Sequence, residues 1–286
     1  MRLCTFVYDG RTSIGAETPA GVVDLRAADP ALPASMLELL QGGDDALARA
    51  RRAAENAAGG HVRSRGAVRL LPPVPNPAKI ICIGLNYRDH AAEVKMPLPE
   101  HVTVFAKWPN TLIGDGAEIV IPPESHRVDY EAELAFVIGT RAHRIPEARA
   151  YDVIAGYTCL NDVSVRDYQM RTSQWTMGKV FDTHGPCGPV LVTKDEIPDP
   201  GNLRIRTIIG EETLQDSSTS QLVFSIPHLV AELTAVMTLE PGDIVATGTP
   251  AGVGTSREPK RWIRPGERVR IEIERIGALE NPAVAG

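Results

Sequence analysis

Cysteine is scarce: four residues (Cys4, Cys82, Cys159 and Cys187) lie far apart in 286, and none forms a C-x-x-C pair. That excludes a disulfide-stapled scaffold and a thiolate zinc site, and the four read as reduced, structural thiols. No apolar run approaches the ~20 residues of a membrane-spanning helix. Met1-Arg2-Leu3-Cys4-Thr5 runs straight into a strand-like pattern without a signal-peptide apolar region, so a cytoplasmic protein is expected. No block of Lys and Arg occurs, and 30 basic against 36 acidic residues give a net charge of −6. Without a basic face to neutralise phosphates, no nucleic-acid partner is expected. The Gly-rich stretch Ala246–Gly254 lacks both the lysine of a P-loop and GxGxxG spacing, which argues against a bound nucleotide. Neither an internal repeat nor a low-complexity tract is present.

What is there is ordinary globular material, 43% hydrophobic and 23% charged, in a chain long enough to bury about 75% of its unfolded surface. Texture divides it in two. Residues 1–70 read as a small α+β module, with strands at Leu3–Tyr8 and Gly21–Leu25 around an Asp9-Gly10 turn. Its helices are Met36–Gln41, capped by Ser35, and Ala46–Ala58, started by Asp44-Asp45. Prolines 72, 73, 75 and 77 mark a connector. Residues 71–286 read as the larger domain. Its strands are expected at Lys79–Gly84, Val102–Ala106, Glu118–Ile121, Glu131–Ile138, Val190–Thr193, Leu203–Gly210, Ile244–Thr247 and Val269–Arg275. Ile226–Thr238 is the one convincing helix. Gly185-Pro186-Cys187-Gly188-Pro189 reads as a rigid turn. Many short strands and few helices make the fold α+β, predominantly β, of the sandwich or roll kind.

The chemistry-bearing residues cluster in four places. In Tyr130–Ile138, alternation puts Glu131 and Glu133 on one face of a strand. Alone, such a pair describes a solvated polar face better than it describes a site. Asp162 ends another apolar strand-like run, where an Asx turn is the plain alternative. Three carboxylates without Cys or His partners suit a hard divalent ion, Mg2+ or Mn2+. In Asn86–Glu93, His90 and Glu93 are one helical turn apart, and a carboxylate beside an imidazole makes a general base. An ordinary surface pair has the same spacing. Lys179, between Gly178 and Phe181, can stabilise developing negative charge if it is buried.

In order, G-L-N-Y-x-x-H-x-x-E at 84–93, D-Y-E-A-E-L at 129–134, G-Y-x-x-x-N-D-V-S-x-R-D-x-Q at 156–169, G-K-x-F-D-T at 178–183 and T-G-T-P-x-G-V at 247–253 resemble the fumarylacetoacetate hydrolase family. The resemblance covers about residues 70–280. It implies a β-roll catalytic domain, a homodimer and a divalent ion held by Glu131, Glu133 and Asp162. It further implies that His90 and Glu93 activate water on a segment, Tyr87–Glu100, that folds over the substrate. Lys179, Gln169 and Arg166 would contact substrate oxygens, and Thr249 would meet the substrate carboxylate. The implied reaction is hydrolysis of a C–C bond in a 2,4-diketo acid of the acylpyruvate or fumarylpyruvate type, the ion absorbing the charge of the departing enolate. Oxaloacetate decarboxylation and isomerisation or decarboxylation of a hydroxydienedioate are alternatives on the same site. A non-catalytic binding protein would be marked by loss of a ligand or of the His/Glu pair, and none is lost. Where the family often has Lys-Pro-Ser, this chain has Lys107-Trp108-Pro109-Asn110-Thr111, a change expected to lie against the substrate's side groups.

Overall fold

The computed structural model describes all residues, 1–286. Two sheets form the frame. The larger is mixed and runs, neighbour to neighbour, Val62–Arg63, Gly21–Asp24, Arg11–Thr18, Arg2–Tyr8, Gly185–Thr193, Ile154–Asn161, Ala132–Ile138, Ile244–Ala246, Ile80–Gly84 and Thr103–Lys107. The smaller has five strands in the order Glu212–Ser218, Arg204–Ile209, Arg268–Ile273, Gly277–Ala285 and Ile119–Ile121. The architecture is sheet-dominated with few helices, and no helix is long and apolar enough to cross a membrane.

Ala132–Ile138 sits mid-sheet and is buried along its whole length. Alternation sends Leu134, Phe136 and Ile138 into one core and Ala135 and Val137 into the other, which the helices Met36–Gln41 and Gly43–Glu55 help to cover. Continuing that second face backwards brings Glu133 and Glu131 to one side. Antiparallel pairing matches Ala132 with Asn161 and Glu133 with Leu160. Asp162, one step past the partner strand, therefore falls beside Glu131, and its N–H donates to the Glu131 carbonyl at 2.9 Å. Pairing register, set by apolar burial, is what assembles the acidic site.

The helices follow their signals. Ser35 and Glu38 form a reciprocal capping box on Met36–Gln41. Ser225 caps Ile226–Val236, which buries Ile226, Leu229, Val230 and Leu233. The second N-terminal helix starts earlier than expected, at Gly43, with Asp44 and Asp45 inside its first turn where they favour the dipole.

One expectation is corrected outright. Gly185–Pro189 is not a turn but the first half of the strand Gly185–Thr193. Partners on both sides hold it extended: Leu112–Ile113 run parallel to Gly185-Pro186, and Cys187 pairs with Leu160. Three further strands, Arg11–Thr18, Glu212–Ser218 and Gly277–Ala285, lie where no strand is expected, because their polar or Gly/Pro-bearing sequences pair as hairpin partners of more apolar neighbours. The N-terminal strands do not form a separate sheet, since Arg2 and Leu3 pair with Val192 and Leu191.

Candidate active site

Ligand oxygens of Glu131, Glu133 and Asp162 lie within 4.8 Å of one another, and all three residues are buried. Like charges this close need cations between them. Lys179 Nζ donates to Glu131 Oε2 at 2.7 Å and to Asp162 Oδ2 at 2.6 Å. Arg166 Nη2 lies 2.7 Å from Glu131 Oε1, while its Nε donates to Asp129 at 2.7 Å. Burial pulls the Glu131 acid upward, but Lys179 and Arg166 outweigh it and hold the carboxyl at about 2.

Glu133 is in the opposite situation. Burial, then the charges of Asp162 and Glu131, push its acid well above the usual carboxylate range. Its one hydrogen bond comes from the Gly248 N–H at 2.9 Å, and no lysine or arginine of the chain pairs with it. Gly248 has φ of +101°, and a Cβ there would come within 3.0 Å of Asn86 Cβ, so glycine is what lets this amide face the carboxylate. Three converging carboxylates, one without a cation of its own, fit a hard divalent ion with oxygen ligands.

His90 stands on the short helix Arg88–Glu93, and its Nδ1 lies 3.0 Å from Glu93 Oε2. Partial burial raises the Glu93 acid, yet the contact with His90 and the Gly252 N–H at 2.8 Å bring it below its usual value. An ionised carboxylate only accepts, so Nδ1 carries the proton and Nε2 the lone pair. Asp89, Glu93 and Arg88 hold the helix to Ala251, Gly252 and Leu222.

A cavity of about 490 Å³ unites these parts. His90, Glu131, Glu133, Arg166, Gln169, Lys179 and Thr249 all line it, so eight of the nine sequence-derived site residues either line it or, for Glu93, orient one that does. Asp162 lies behind the wall, fully buried. Gln169 accepts from Arg166 at 2.9 Å, and Thr249 accepts from Gln215 at 2.9 Å. Gly178 fits because any Cβ there would sit about 2.4 Å from the Gln169 backbone nitrogen.

The segment Lys107–Thr111 is a correction, for none of it lines the cavity. Trp108 is half exposed. Asn110 is bonded to Asp182 and Val180. Lys107 is buried, its ammonium donating to Asp162 Oδ1 at 2.8 Å and the Lys179 carbonyl at 2.6 Å. Sequence reading also missed Asp129, which accepts from Arg166 and from the Gly254 and Thr255 amides, and Asn86, which bridges the Thr247 carbonyl and Phe224. Nothing local in the sequence marks Lys107, because lysine is rarely buried without a partner and that partner is remote in the chain.

The family model described as fumarylacetoacetate (FAA) hydrolase C-terminal matches residues 79–284. The chain belongs to this family. Oxaloacetate tautomerase fahd2, mitochondrial, of Xenopus laevis is 46% identical over 290 residues, covering 99% of this chain and 90% of its own. Oxaloacetate tautomerase YisK of Bacillus subtilis is 43% identical over 276 residues, covering 91% of this chain and 92% of its own. Among solved structures, a maleylpyruvate hydrolase from Sphingobium sp. SYK-6, in complex with manganese(II) ion and pyruvate, is 32% identical with a TM-score of 0.83, and covers 100% of both chains. The chain is thus a member of an enzyme family whose named members include hydrolases and tautomerases.

Proposed function

We propose that this protein catalyses keto–enol interconversion of a small 2-oxo acid, with oxaloacetate as its substrate. The observation that carries the reading is the His90–Glu93 pair, which opens onto the same cavity as Glu131, Glu133, Arg166 and Lys179. His90 is a lining base with its lone pair free, whereas Glu131 is engaged by two cations. The relatives named as oxaloacetate tautomerases, similar over nearly the whole chain, support the same assignment.

Glu131, Glu133 and Asp162 would hold a divalent ion, Mg2+ or Mn2+, which supplies Lewis acidity toward substrate oxygens. The chain's own residues do the rest. Gln169 and Thr249 offer hydrogen bonds that fix the carboxylate and the 2-oxo group. His90 Nε2 takes a proton from the carbon next to the carbonyl. The C–H electron pair becomes the C=C bond, and the carbonyl pair moves to oxygen, where the charge of Lys179 stabilises it. Return of a proton to that oxygen completes the enol, and the reverse sequence restores the ketone. Glu93 keeps the imidazole in the needed tautomer and stabilises its protonated form.

The size of the cavity favours a second reading, hydrolytic C–C cleavage of an acylpyruvate or fumarylpyruvate, in which His90 would deprotonate water. The neighbouring hydrolase with manganese(II) and pyruvate supports it. One experiment tests both: decay of enol-oxaloacetate absorbance and cleavage of acetylpyruvate, each with Mg2+ or Mn2+. The expected result is enol decay accelerated well beyond the spontaneous rate and slowed roughly 10²–10⁴-fold by His90→Ala. Enol decay at the spontaneous rate alongside rapid acetylpyruvate cleavage replaces the first reading with the second. The homodimer is part of the proposal and is read by light scattering.

A further inference from the structure

The cavity is larger and more apolar than a small diacid requires. At about 490 Å³ it falls among pockets that enclose drug-sized ligands, roughly 300–1,000 Å³. Its polar groups are His90, the acidic wall with Arg166 and Lys179, and the uncharged Gln169, Thr249 and Thr255. The apolar side chains of the lining include Leu85, Val94, Met96, Phe105, Met170 and Trp175.

Phe105 marks the boundary. Its ring centre is 4.8 Å from Lys179 Nζ and 5.6 Å from the Trp175 ring, against which it packs edge-on. Phe105 thus touches both the charged wall, through Lys179, and the aromatic Trp175. Trp175 fits because residue 84 is glycine: a Cβ there would come within 2.4 Å of the indole. Strand, glycine and indole together open an apolar recess next to the charged wall.

The cations of the cavity do not serve that recess. Arg166 is engaged by Asp129 and Glu131, and Lys179 by Glu131 and Asp162. Lys95 and Arg171, chain neighbours of Met96 and Met170, are not part of the lining, and Arg171 lies over the Tyr168 ring. A second carboxylate placed among Phe105, Trp175 and Met96 would lose part of its hydration to apolar side chains and meet no free cation, which disfavours it. A hydrocarbon placed there gains burial. Met96 and Met170, flexible and partly exposed at 49% and 73%, can adapt to chains of different length.

We infer that the Phe105–Trp175 recess is a subsite for an uncharged alkyl or aryl substituent, so that the protein also takes 2-oxo acids bearing an apolar tail. This rests on the reading that the charged wall takes the 2-oxo acid group. Oxaloacetate would fill the wall alone; an apolar 2-oxo acid would fill both.

The test is calorimetric binding, with Mg2+, of pyruvate, 2-oxobutanoate, 2-oxohexanoate and 2-oxooctanoate, with 2-oxoadipate as the anionic counterpart of 2-oxohexanoate. Each methylene buried should tighten binding about threefold to fourfold. 2-Oxoadipate should bind at least tenfold more weakly than 2-oxohexanoate. Trp175→Ala should flatten the series. Should that variant fail to fold, Met170→Lys, at an exposed position, should instead raise affinity for 2-oxoadipate and lower it for 2-oxooctanoate. Pyruvate binding with a flat series, or equal binding of 2-oxoadipate and 2-oxohexanoate, overturns the subsite and leaves the proposed function standing. Absence of binding by pyruvate, oxaloacetate and the whole series overturns the reading of the wall itself.

Discussion

Ser217 Oγ donates to Asp89 Oδ2 at 2.5 Å, joining the strand Glu212–Ser218 to the residue before His90. The other Asp89 oxygen accepts from the His90 N–H at 2.7 Å and lies 3.4 Å from the Ala251 nitrogen. One carboxylate thus fixes the start of the helix that carries His90 to the smaller sheet and to the glycine-rich loop. With Glu93 on Gly252, the helix is held at both ends, and its hold sets where the imidazole points.

Loosening this latch should therefore lower turnover without touching the acidic site. A hydrogen bond of this kind contributes roughly 1 kcal/mol, about fivefold in the equilibrium between the latched and the released helix. Ser217→Ala should reduce kcat several-fold, leave Mn2+ affinity unchanged and speed hydrogen exchange across Tyr87–Val94. Unchanged exchange in that segment would remove the latch from the account.

Base and carboxylates should separate experimentally. His90→Ala should slow catalysis roughly 10²–10⁴-fold and still bind Mn2+ as the unaltered protein does. Glu133→Gln or Asp162→Ala should lose Mn2+ binding, seen in the electron paramagnetic resonance of the free ion, along with activity. Mn2+ bound at full affinity by Asp162→Ala would show that the cation is held elsewhere.

Lys107 gives a stability prediction. Its ammonium and the Asp162 carboxylate are both fully buried, 2.8 Å apart. Removing one partner of such a pair commonly destabilises by about 3–5 kcal/mol. Lys179 remains on the other Asp162 oxygen, so the lower end is expected for Lys107→Met in urea unfolding with chelator present. Mn2+ should then raise the unfolding midpoint more in the variant than in the parent, because a cation would relieve the charge left on Asp162. A smaller rise in the variant would mean that Lys107 organises the site rather than offsetting charge.

Local chemistry explains what could be read in advance. Alternation in Glu131–Ile138 placed Glu131 and Glu133 on one face because a strand has only two faces. The i, i+3 spacing of His90 and Glu93 survived because one helical turn needs no tertiary information. What joined Asp162 to them was the antiparallel register that sets Ala132 opposite Asn161, and only the recurrence of family motifs pointed to it. Lys107 and Asp129 were invisible for the same reason: their roles depend on partners 55 and 37 residues away. Gly185–Pro189 misled because its composition says turn while neighbours on both sides impose a strand.

His184 should govern part of the acid sensitivity. It is fully buried, stacks on Phe181, donates through Nε2 to the Val120 carbonyl at 2.8 Å and leaves Nδ1 buried without a partner, the pattern of a neutral imidazole. Burial, only partly opposed by that carbonyl, lowers it from 6.5 to about 4. Between these values the unfolded chain binds a proton that the folded chain does not. Stability contributed by neutral His184 is complete above about pH 6.5 and is lost as pH falls toward 4, by on the order of 3 kcal/mol in all. His184→Phe removes the titration along with the Val120 bond. The variant should be the less stable at pH 7.5, and the gap should shrink or reverse by pH 4.5, read from urea midpoints in the presence of chelator. Parallel curves across that range would show that another group carries the acid response.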